Sequence, residues 1–200
     1  ASTAAMLSIM GLLVQMAYGA FTAGLKAGYI SDTWPKMLGR WVPLALLQQL
    51  EPAGLNLFAA PLTVAFIHRW LAVIVLLLAG WALYFIGRLD LEPGLRAALR
   101  WVGGLSIVQM GLGIGVVITH VNISLGLLHQ ANALALFVLA VFVWDGLRRR
   151  DEGLAQRHAP RPLLRGLQAI ANEVGPARIA EQAVQMGEPG VVAALVEVIL

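Results

Sequence analysis

Residues 101–144 read WVGGLSIVQMGLGIGVVITHVNISLGLLHQANALALFVLAVFVW, and these 44 positions between Arg100 and Asp145 hold no Asp, Glu, Lys or Arg. A helix needs about 20 predominantly apolar residues to cross a bilayer, so a run of this length accommodates two passes. The passes are joined only by Thr119–Asn122, which makes them a tight antiparallel hairpin. Working outward, residues 1–25 and the 18 residues between Arg69 and Arg88 are also free of charge. The expected spans are Ala4–Ala27, Ala60–Ile86, Ala97–Ile118 and Ile123–Trp144. The fold class is all-α, a polytopic membrane four-helix bundle.

Composition excludes the other classes. Of the 200 residues 59% are apolar and 12% charged, where a globular chain has about 25% charged. Mean hydropathy is +0.77. A soluble enzyme, a coiled coil and a disordered tail do not fit. The pI near 9.8 reflects arginines that set topology rather than a nucleic-acid surface, so no nucleic-acid partner is expected. No cysteine is present, which removes disulfides, Cys-zinc sites, iron–sulfur clusters and thiol nucleophiles together. The opening Ala1-Ser2-Thr3 has no basic n-region, so no signal peptide is expected, and the chain reads as processed or as a fragment.

The arginines orient the bundle. Arg88, Arg96 and Arg100 fall on the same side as Arg148, Arg149 and Arg150, against Lys26, Lys36 and Arg40 on the other. The basic flanks put the turn Gly87–Arg96, with Pro93-Gly94, and the end of the fourth span in the cytoplasm. The long connection Gly28–Ala59 is then extracytoplasmic, and a connection that long tends to be functional. Residues 1–150 form the expected membrane domain and 151–200 a cytoplasmic tail of unknown role. Within that tail Leu163–Val174 and Ala177–Met186 could be short amphipathic helices, and Val191–Leu200 is too short to span.

A short repeat runs through the spans. Val14-Gln15-Met16-Ala17-Tyr18-Gly19 echoes Val108-Gln109-Met110-Gly111-Leu112-Gly113, and each Gln-containing span is followed by one with a histidine, His68 or His129. Repeats in membrane folds place sites at the repeat interface. Ionisable residues inside spans are costly and mark function by default. His68 lies about 12 Å below the start of its span and His129 about 9 Å below its own, at 1.5 Å per residue. Both helices enter from the outer side, so the imidazoles share one level.

Paired imidazoles at one depth, with no carboxylate in the first three spans, suit a bis-histidine haem better than a harder metal. The bland alternative is that each histidine only bonds a neighbouring helix. Arg69 suits an anionic partner such as a haem propionate, or else snorkels to the interface. Gln15 and Gln109 read as interhelical glue, and Gly111 and Gly115 as a GxxxG packing pair. His120 reads as an interfacial residue with a propionate contact as its functional option, and His158 as an exposed residue of the tail.

The run Gly19-Ala20-Phe21-Thr22-Ala23-Gly24-Leu25-Lys26-Ala27-Gly28, followed by Asp32-Thr33-Trp34-Pro35-Lys36-Met37 and Pro43, resembles the haem A synthase family. Phe66-Ile67-His68-Arg69 and Leu128-His129-Gln130 resemble that family's histidine motifs. The likeness covers about residues 4–147. Family members carry eight spans as two similar four-helix halves, and this chain is similar to the second, C-terminal half. In that half two histidines, matching His68 and His129, hold the iron of a haem b. The first half, whose histidine is preceded three residues earlier by a glutamate, handles the substrate haem O. Here that position is Ala65, as the second half has it.

The resemblance implies oxidation of the haem O methyl group to a formyl group, giving haem A, in a bacterial inner or mitochondrial inner membrane. It also implies that part of the catalytic site lies outside this chain, in a missing N-terminal half or a homo-oligomer. With both axial positions filled, the iron held by His68 and His129 has no open position for substrate. The alternatives are a b-type cytochrome electron-transfer subunit without synthase activity, and a structural membrane subunit that binds no haem. The Thr33-Trp34-Pro35-Lys36-Met37 segment favours the synthase over a generic cytochrome.

Overall fold

The computed structural model describes residues 1–158. The chain divides into two compact units, Ala1–Arg148 and Arg149–Leu200; of the second, only the continuation of the last helix is described. Among the described residues five helices are present: α1 Ser2–Gly24, α2 Asn56–Ala59, α3 Pro61–Ile86, α4 Pro93–Ile118 and α5 Ile123–His158. Single 3-10 turns cover Ala27–Ile30 and Ala53–Leu55. No strand occurs among the described residues, and an isolated antiparallel bridge joins Met37 and Arg40. Four helices among the described residues are long and apolar enough to cross a membrane. Such helices satisfy their backbone groups internally, as the bilayer demands, and the chain is an all-α integral membrane protein.

The ends differ most from expectation in three places. Span three begins at Pro93 rather than Ala97. Pro93 opens α4 instead of breaking it, because a first-turn residue needs no N–H partner and the ring already holds a helical φ. α1 stops at Gly24, since Lys26 adopts a left-handed backbone (φ 52) and the next turn is 3-10. The last helix does not end at Trp144 but runs 36 residues to His158, roughly 54 Å at 1.5 Å per residue. Charge at Asp145 ends the apolar segment without ending the helix; Arg148 lies one turn on and bonds its carboxylate at 3.3 Å. The tail helices anticipated over Leu163–Val174 and Ala177–Met186 lie outside the described residues, as does the side chain of His158.

Two apolar layers clamp the bundle of residues 1–148. At the inner end Ala5, Ala82, Ile86, Leu91, Ala98, Leu99, Val143 and Leu147 form one core contributed by all four spans. At the outer end Ala27, Met37, Leu62 and Ala65 form a second. Small residues let the helices close up: a Cβ added at Gly146 would stand 2.9 Å from Leu95 Cδ1, and one at Gly103 would stand 3.4 Å from Leu83 Cδ1. The outward faces carry Leu7, Leu77, Ile107 and Leu127 exposed. In water that would be an unmatched apolar surface; against lipid tails it is matched.

The outer connection is ordered by its own hydrogen bonds. Asn56 is fully buried. Its Oδ1 accepts the N–H groups of Gln49 (2.9 Å) and Leu50 (3.0 Å). Its Nδ2 donates to the carbonyls of Leu47 (3.2 Å), Leu50 (2.7 Å) and Ala53 (2.9 Å). The same loop caps α3: Leu62 N–H donates to Gln49 Oε1 at 3.2 Å, and Leu47 N–H to Thr63 Oγ1 at 3.4 Å. The first N–H groups of a helix have no partner within it, so a distant loop supplies one here. Ahead of that, Met37 and Arg40 exchange both backbone bonds, with positive φ at Leu38 and Gly39. That is a type I′ turn, and it buries Met37 in the outer core.

Candidate functional site

Between the two apolar layers lies a polar one. His68 on α3 and His129 on α5 face each other with ring centroids 6.5 Å apart and planes at 87°. Equal depth read from the sequence therefore becomes direct proximity. Each imidazole is met from the neighbouring helix by a glutamine. Gln15 Nε2 on α1 lies 3.0 Å from His68 Nδ1 and also donates to the His68 carbonyl at 3.0 Å. Gln109 Nε2 on α4 lies 3.3 Å from His129 Nε2. Asn132, one turn below His129, donates to Gln109 Oε1 at 2.7 Å and to the Leu105 carbonyl at 3.1 Å.

Glycines make the room. A Cβ added at Gly19 would stand 3.2 Å from His68 Cε1, and one at Gly113 would stand 3.1 Å from His129 Cε1. Each of these glycines follows its glutamine by four residues, so one helix face presents both to one ring. The short sequence repeat is thus a repeat of placement: the α1–α3 and α4–α5 pairs each set a glutamine and a glycine against one histidine, though Gln15 meets Nδ1 and Gln109 meets Nε2. By contrast a Cβ at Gly111 meets nothing within 4 Å, and one at Gly115 makes ordinary contact with Leu125. The close approach belongs to Gly113 and not to the GxxxG pair.

One nitrogen of each ring is left over. His129 Nδ1 is buried without a hydrogen-bond partner, and so is Gln15 Oε1; no hydrogen bond reaches His68 Nε2. A buried polar atom without a partner is uncommon and asks for a reason. No cluster of three or more His, Cys, Asp or Glu that could hold a metal occurs among the described residues. Two imidazoles satisfy only a metal that brings most of its own ligands, as a macrocycle does. Two metal–nitrogen bonds of about 2 Å, each extended by a ring radius of about 1 Å, span roughly 6 Å. The donor set and the separation both fit such a group.

Arg69 is buried and spends two N–H groups on the outer loop, donating to the carbonyls of Thr33 (2.9 Å) and Ser31 (2.6 Å). It therefore ties the Thr33-Trp34-Pro35 segment to α3, one residue from His68, and does not snorkel. The hydroxyls of Ser31 and Thr33 continue the network, at 3.1 Å from each other and with Thr33 donating to the Lys36 carbonyl at 2.8 Å. His120 lies in the α4–α5 turn, exposed, with Nε2 3.5 Å from Asp32 Oδ2. Trp41 of the loop packs on Trp70 of α3 at 6.0 Å. Sequence reasoning missed Asn132 and Asn56, whose polar contacts have no periodic signal.

A family model described as cytochrome oxidase assembly protein, COX15-CtaA, matches residues 1–141. The chain is 39% identical over 134 residues to Heme A synthase of Bartonella henselae, covering 66% of this chain and 37% of that protein. It is 36% identical over 136 residues to Heme A synthase COX15 of Arabidopsis thaliana, 68% of this chain and 30% of that one. With Heme A synthase of Paramagnetospirillum magneticum it shares 41% over 149 residues, 72% and 40% of the two lengths. The chain thus spans well under half the length of these relatives. No solved structure matches it.

Proposed function

The chain belongs to the cytochrome oxidase assembly protein family matched over residues 1–141, and from that membership we propose that it is the C-terminal, haem b-binding half of a haem A synthase. The whole enzyme oxidises the methyl group of haem O to a formyl group, in a bacterial inner or mitochondrial inner membrane. In this reading His68 and His129 are the residues that would hold the iron. Residues 1–150 are the haem-binding domain, and 151–200 a cytoplasmic tail. A second set of four spans, from the missing N-terminal half or another copy, completes the site for haem O.

The observation that carries the reading is the pair of imidazoles 6.5 Å apart, each with a glycine at its back and one ring nitrogen unclaimed. Iron held by two imidazoles would supply a reversible one-electron couple. The protein's own part is then clear. Gly19 and Gly113 admit the rings, the apolar layers exclude water above and below, and Arg69 fixes the outer loop over the site. The remaining N–H groups of Arg69 are suited to an acidic edge of the ring.

The test is the absorption spectrum of detergent-purified chain loaded with hemin, oxidised and dithionite-reduced, beside His68→Ala and His129→Ala. A sharp low-spin b-type spectrum lost in either variant is expected. A wild type that stays colourless with added hemin overturns the reading. Conversion of haem O to haem A by membranes supplemented with this chain separates the synthase from an electron-transfer subunit.

A further inference from the structure

An imidazole that binds a metal through one nitrogen carries its proton on the other and donates it; the group that accepts fixes ring rotation and sets how strongly the ligand donates. Gln15 stands where that acceptor must be. Its amide lies 3.0 Å from His68 Nδ1, while its Oε1 is buried with no hydrogen-bond partner. A glutamine amide holds a donor and an acceptor on one flat end. Nε2 meets a bare ring nitrogen; the same side chain turned over meets a ring N–H with Oε1 and gives up its Nε2 bond to the His68 carbonyl.

The counterpart on the other helix pair is built differently. Gln109 Oε1 already accepts from Asn132, and Asn132 is anchored on the Leu105 carbonyl. That amide is held through both its ends, whereas Gln15 is held through Nε2 alone, on the His68 ring and carbonyl, with its oxygen unheld. The two imidazoles therefore have unequal partners, one adaptable and one fixed. We propose that Gln15 is a positioning residue for His68, accepting its ring N–H when iron is bound and so setting the donor strength of that ligand. The proposal rests on the haem reading above.

A merely structural Gln15 would act as glue between α1 and α3 through its bond to the His68 carbonyl, and would leave the iron alone. The two roles separate in a redox titration of the full chain, hemin-loaded in detergent, with the ferric electron paramagnetic resonance spectrum as a second readout. Gln15→Glu supplies a stronger acceptor, raises the basicity of His68 and shifts the midpoint potential down. Gln15→Met fills the space without any acceptor and shifts it up. Opposite signs are the expected result, with a changed spread of ferric g values.

Equal shifts, or none, in variants that still show the low-spin spectrum overturn the proposal and leave the haem reading standing. If the Glu variant does not fold, Gln15→Met and Gln15→Leu carry the test: both raise the potential, and unmoved values overturn it. A wild type that takes up no hemin, or His68→Ala with an unchanged spectrum, overturns the haem reading and this proposal with it.

Discussion

Asn56 is the residue on which the outer connection depends. Its five hydrogen bonds to Leu47, Gln49, Leu50 and Ala53 use both ends of a fully buried amide. Asn56→Ala strands several buried backbone groups, each costing about 1–3 kcal/mol. Asn56→Asp is expected to be worse, since it turns a carboxylate oxygen toward three carbonyls. Both should lower the thermal midpoint of the detergent-solubilised protein, with Asp lower than Ala; an Asp variant as stable as wild type would contradict the network. The glycines give a second residue-scale test. Gly113→Ala places a methyl 3.1 Å from His129 Cε1, so the ring must move by a few tenths of an ångström. Hemin affinity should fall roughly three- to tenfold, about 1 kcal/mol, while Gly111→Ala, in open space, leaves it unchanged. The histidines and their glutamines were legible in the sequence because an intramembrane polar group is rare enough to be a signal. Asn132 and Asn56 were not, because an asparagine's partners are set by the fold around it.

Among the elements, α3 was read to within one residue, Ala60–Ile86 against the observed Pro61–Ile86. A proline at its start and the charge at Arg88 mark both ends. α4 was read short because Pro93-Gly94 is the commonest form of turn signal, and only the fold shows that Pro93 sits at the first helical position. That placement has a consequence. Pro93→Ala should change stability by no more than about 0.5 kcal/mol, a small shift in thermal midpoint. Moving the proline inward, Ala98→Pro, removes an interior hydrogen bond and disturbs the buried core at Ala98, a loss of about 3 kcal/mol or more. Equal effects of the two substitutions would place the start of α4 elsewhere. The far end of α5 was illegible for a related reason: hydropathy reports where the bilayer ends, and a helix can go on in water.

For the whole molecule, the sequence without cysteine is an experimental convenience. Glu51 in the outer connection and Glu92 before α4 are both exposed, and each can carry the chain's only thiol. With the basic flanks inside, Glu51→Cys should react with a membrane-impermeant maleimide in intact cells, and Glu92→Cys only after permeabilisation. The reverse pattern would invert the topology. The division into a Gln–His pair of helices and its copy was visible in a six-residue stretch identical at four positions, whereas the unequal hydrogen bonding of the two copies was not.

If His68 and His129 together hold the iron, as proposed, the two facing imidazoles also impose an order of events on biosynthesis. His129 leaves the ribosome roughly sixty residues after His68, a delay of several seconds at about 5–20 residues per second. Through that interval the first three helices offer a single ligand with no opposite number. Capture of a metallated ring before the last helix is threaded would leave it held by one bond. On that reading two-point binding is completed only once the final hairpin is in place, and a chain cut before α5 would be an acceptor that never closes.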